Sequence, residues 1–118
     1  MADPKRDTVV DLMRQAANEL LAAQILADEG ERMASSVVFH VQKAVESALA
    51  AFLTARGLAF KAKNPAGLLQ ECRALYPPFG QIRPEALESP STALEEAKKL
   101  LALVTENLPR EMGKEAGG

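Results

Sequence analysis

Hydrophobic positions recur at helical spacing along most of the chain, and the densest stretch is residues 37–57, VVFHVQKAVESALAAFLTARG. At about 100° per residue, Val37, Val38, Val41, Ala44, Val45, Ala48, Leu49, Ala51, Phe52 and Ala55 share one wide arc. Ser36, His40, Gln42, Lys43, Glu46, Ser47 and Thr54 take the other side. The unbroken apolar runs at 37–39 and 48–53 exclude the alternation of a half-buried strand. The pattern predicts a helix over 33–56, stopped at Gly57 because glycine enters the left-handed C-terminal position cheaply. An arc this wide suits a helix in the middle of a bundle, touching two or three neighbours.

The remaining segments read as partners for that arc. Asp7 and Thr8 are N-cap residues for a first helix, which carries Val9, Leu12, Ala16, Leu20, Ala23 and Ala27 on one face and ends at Gly30. The link of residues 30–32 is short enough to make the first two helices antiparallel neighbours. Asn64-Pro65 restarts helix after the connector LAFKAK (58–63), with Asn as cap and Pro at the first helical position. A short third helix runs through Leu68, Leu69, Cys72 and Leu75, and YPPFG (76–80) breaks it. Residues 81–90 read as irregular, with room for one helical turn at 84–88. Thr92 and Glu95 match a capping box for a last helix whose seam is Leu94, Ala97, Leu101, Val104 and Leu108. Its solvent side holds Glu95, Glu96, Lys98, Lys99 and Glu106, and Pro109 ends it. The expected architecture is all-α: an up-and-down four-helix bundle with a short third helix and an irregular segment before the last. The domain spans 1–110, followed by a disordered tail at 111–118.

Composition narrows this further. The chain of 118 residues is 47% hydrophobic but only 4% aromatic, so a core must be built from Ala, Leu and Val, which favours close-packed helices. The formal net charge of -2 writes no general attraction to nucleic acid into the sequence. The single cysteine, Cys72, excludes an intrachain disulfide and a cysteine-based zinc site. With no signal-peptide pattern in MADPKRDTVV and no run of about 18 apolar residues, the expectation is a cytoplasmic protein without a membrane span. No metal site and no cofactor are expected.

Candidate chemistry is sparse. His40, the only histidine, sits one turn from Ser36, Lys43 and Ser47 and is a candidate acid–base or phosphate-contacting group. Without a carboxylate at i+3 or i+4 it fits an ordinary surface histidine better. Gln42 and Glu46, flanking Lys43, form either a polar cluster facing a ligand or partner, or a solvated helix surface. Phe39 and Leu53 fall outside the main arc and are candidates for a dimer interface, the alternative being a wider core arc. Lys61 and Lys63, with Arg73, are candidates for a small anion-binding patch at the start of the third helix, although scattered surface charge explains them as well. Cys72 reads as a packed apolar residue rather than a nucleophile, since no base accompanies it. No phosphate loop, metal-ligand helix motif or nucleophile elbow is present, so no enzymatic activity is expected.

The segment 16–57 resembles the HEPN domain family. Its first helix follows A-x-x-(D/E)-L-x-x-A through Ala16, Glu19, Leu20 and Ala23, and Gly30 stands in the link. The second follows F-(H/x)-x-Q-x-A-x-E-x-A-L-x-A-x-L through Phe39, His40, Gln42, Ala44, Glu46, Ala48, Leu49, Ala51 and Leu53, then Gly57. With LLQECRALYP and ALEEAKKLLALV the likeness spans about two-thirds of the chain. The resemblance implies a helical bundle that commonly dimerises, in one of two branches. The first cleaves RNA with an arginine, four to six residues, then a histidine. Here Arg32 lies seven residues before His40, and there is no second histidine. The second is noncatalytic and pairs with a minimal nucleotidyltransferase, in a toxin–antitoxin-like system, or binds a nucleotide. The chain departs from many relatives at the start of the third helix, where Lys63-Asn64 replaces a histidine. It departs again before the last helix, where YPPFGQIRP replaces a longer tyrosine- and arginine-rich stretch. The expectation is therefore the noncatalytic, partner-binding branch, with nucleotide or small-anion binding as the alternative.

Overall fold

The computed structural model describes residues 4–109, so the expected tail at 111–118 lies outside the described residues. Among those described there are five α-helices and no strand: α1 (Pro4–Asp28), α2 (Ala34–Ala55), α3 (Pro65–Leu75), α4 (Pro84–Leu87) and α5 (Ala93–Glu106). Short 3-10 turns occupy Glu31–Met33 and Pro77–Gln81. The all-α bundle is the expected one, with the fourth of its five helices a single turn inside the segment read as irregular.

α2 is the core element, with ten buried residues between Val37 and Leu53. α1 packs along it, α3 and α5 cover its other sides, and α4 bridges toward α5. The span Glu31–Ala55 holds an 18-residue window long and apolar enough to cross a membrane by composition, with a mean hydropathy of 1.2. More than half of that window is buried inside the bundle, as befits a central helix.

The C-terminus of α2 reverses the chain. Gly57 adopts φ 71°, its N–H donates to the Thr54 carbonyl at 2.9 Å, and the Leu58 N–H donates to the Leu53 carbonyl at 3.0 Å. These two bonds form a Schellman cap, which satisfies carbonyls the helix would otherwise leave open. Phe52 then anchors an aromatic cluster. Its ring meets Phe79 edge-on with centroids 4.9 Å apart, Tyr76 meets Phe79 at 5.6 Å, and the Arg56 guanidinium lies 4.1 Å over Phe52. The cluster ties the exit of α3 to the end of α2.

Three local expectations change, and the cap of α3 holds. α1 begins at Pro4 rather than after Thr8, because proline suits the first turn and Asp7 then complements the helix dipole there. Asn64 caps α3 as expected, accepting from Gly67 N–H at 2.8 Å. Thr92 does not cap α5, because its hydroxyl donates to the Ala86 carbonyl at 2.7 Å and fastens α4 to α5 instead. The buried stripe of α5 runs through Ala93, Glu96, Ala97, Leu100 and Val104, one position round from the expected seam, and leaves Leu94 and Leu101 half-buried.

Glu96 is the one charged residue on that buried stripe. It is 9% exposed and accepts from the Arg83 backbone N–H at 2.8 Å, while Lys99 Nζ lies 3.1 Å from its other oxygen. Burial pushes its carboxyl up, but the Arg83 N–H and the Lys99 ammonium outweigh that and hold it below the ordinary carboxylate range. Because the folded pKa lies under the unfolded one, this contribution to stability is full above about pH 4.3 and is lost as pH falls through the folded value. Glu96→Ala removes the acceptor and is expected to lower stability by about 1–2 kcal/mol. Glu96→Gln keeps an acceptor for Arg83 and should cost less. Urea melts of the three proteins at pH 7 and pH 4 check both, with a smaller loss between the two pH values in either variant than in the parent.

Candidate functional site

The link after α1 sets the register of the α1–α2 hairpin. Gly30, at φ 108°, opens the turn, and a residue with a Cβ would be strained there. Glu19 stands eleven residues before Gly30 and His40 ten after it, so an antiparallel hairpin brings them level. They meet at 2.6 Å, His40 Nδ1 donating to Glu19 Oε2, with both side chains about one-third exposed. The Phe39 ring packs edge-on against the His40 ring, centroids 5.3 Å apart, and Lys43 Nζ lies 5.6 Å over Phe39 and 3.7 Å from Glu46.

The structure thus gathers four candidates, Phe39, His40, Lys43 and Glu46, with the unanticipated Glu19 on the outer side of the hairpin. The sequence lacked a support group for His40 only within α2 itself. The hairpin supplies one from α1, and counting outward from Gly30 would have found it. With Nδ1 committed to Glu19, the ring is left to meet solvent or a partner through Nε2. Arg32, the arginine nearest before His40, sits in the turn and pairs with Glu29 at 3.8 Å.

Phe39 is 55% exposed, and the outer face of α1 adds Leu21 at 59% and Ile25 at 55%. Leu53 does not belong with them. It is 2% exposed and part of the core, because the chain returning after Gly57 and the third helix cover that side of α2. The correction removes Leu53 from the candidate interface and leaves Phe39.

Gln42 is half-buried and turned away from His40. It lines a cavity of about 180 Å³ at the start of α3, with Asn64, Pro65, Pro84 and Leu87. Lys61 and Lys63 are exposed on the connector, but Arg73 lies near the far end of α3, beside Gly80, so the three do not form one patch. A wider hollow of about 590 Å³ at the α1–α2 turn is lined by Ala27, Ala34, Val37 and Pro90 and has no cationic lining residue. Among the described residues no group of three or more His, Cys, Asp or Glu is placed to hold a metal ion.

The profile of the HEPN domain family matches residues 9–106. The chain belongs to the HEPN domain family. The matched span runs from early α1 to the last residue of α5, so it includes the Glu19–His40 pair and the whole buried face of α2. No curated protein matches the chain, and no solved structure does.

Cys72 is fully buried on this HEPN bundle, its Sγ 4.0 Å from the Leu49 carbonyl, and burial pushes the thiol up to about 12. A thiol this far above neutral pH supplies almost no thiolate. In the native protein Cys72 is expected to resist an aromatic disulfide reagent at pH 8 for as long as the fold persists. In denaturant it should react within the mixing time of a free thiol, and absorbance of the released thiolate records both.

Proposed function

We propose that this HEPN protein is noncatalytic and works in the cytoplasm as a homodimer and as the partner of a minimal nucleotidyltransferase, in a toxin–antitoxin-like pair. The observation that carries the reading is the state of the single histidine. His40 is tied to Glu19 and met edge-on by an exposed phenylalanine, and no arginine lies at the spacing the ribonuclease branch uses. Its surroundings suit a contact surface. Phe39, Leu21 and Ile25 offer exposed apolar area on one hairpin, and the interhelical pair beside Phe39 stiffens the side chains around it. The nucleotide- or anion-binding alternative has less behind it, because Asn64 already occupies an N–H at the start of α3 and Lys43 is engaged by Glu46 and Phe39.

A tagged chain recovered from its native cells is expected to bring down a nucleotidyltransferase in stoichiometric amount, with light scattering reporting two copies of this chain. Phe39→Glu should give a folded monomer that melts cooperatively, at a temperature that no longer depends on protein concentration. The purified protein should leave RNA intact. Cleavage that disappears in His40→Ala would overturn the noncatalytic reading, and a Phe39→Glu protein that remains dimeric would move the interface elsewhere.

A further inference from the structure

We draw no further inference here: the strongest candidate, the cavity of about 180 Å³ between the middle of α2, the start of α3 and α4, sets a half-buried Gln42 and an exposed Glu88 among apolar walls, and nothing in the structure shows what fills it.

Discussion

The enclosure of α2 is the constraint on which the other elements depend. From Val37 to Leu53 this helix has apolar residues on more than half its circumference, and a single antiparallel neighbour cannot cover them. α1 takes one side, and α3 and α5 must be folded back to take the rest. That requirement explains the Schellman cap at Gly57, which turns the chain sharply enough to bring α3 onto the helix it has just left. It also explains why so few aromatic residues suffice. Phe52, Phe79 and Tyr76 are concentrated where three segments converge, and alanine, valine and leucine fill the narrower contacts along the hairpin.

Much of this was legible from residue spacing. Gly57 and Asn64-Pro65 are local signals with local causes, and both act where the pattern placed them. The errors share a different cause. Thr92 and Glu96 look like surface residues because threonine and glutamate usually are. Both are instead spent on backbone groups of the 82–89 segment, which buries Ile82, Ala86 and Leu87 and must be fastened to α5. Tertiary demand from an irregular segment is invisible to a helical wheel. Leu53 failed for a related reason. The arc on α2 was judged from one helix alone, without the chain that returns over it.

The site divides the same way. His40 was visible as a lone histidine, but its partner is a carboxylate twenty-one residues earlier, and only the geometry of the hairpin joins them. Membership of the HEPN family accounts for the spacing shared by α1 and α2. The polar pair is part of how this chain holds the two helices in register on their exposed side, so its chemistry and its structural role are not separable by inspection of either helix.

The seam between α1 and α2 carries a further consequence. Ala16 and Ala23 on one helix and Ala44, Ala48 and Ala51 on the other are completely buried. Alanine at such positions lets two helix axes approach closely, and a larger side chain there would force them apart. Change in this part of the protein is therefore channelled outward. The hairpin's inner surface has almost no freedom to drift in volume, whereas Leu21, Ile25, Phe39 and the connector can be rewritten without moving the helices beneath them. A lineage built on this bundle can exchange one binding specificity for another while its interior stays nearly unaltered.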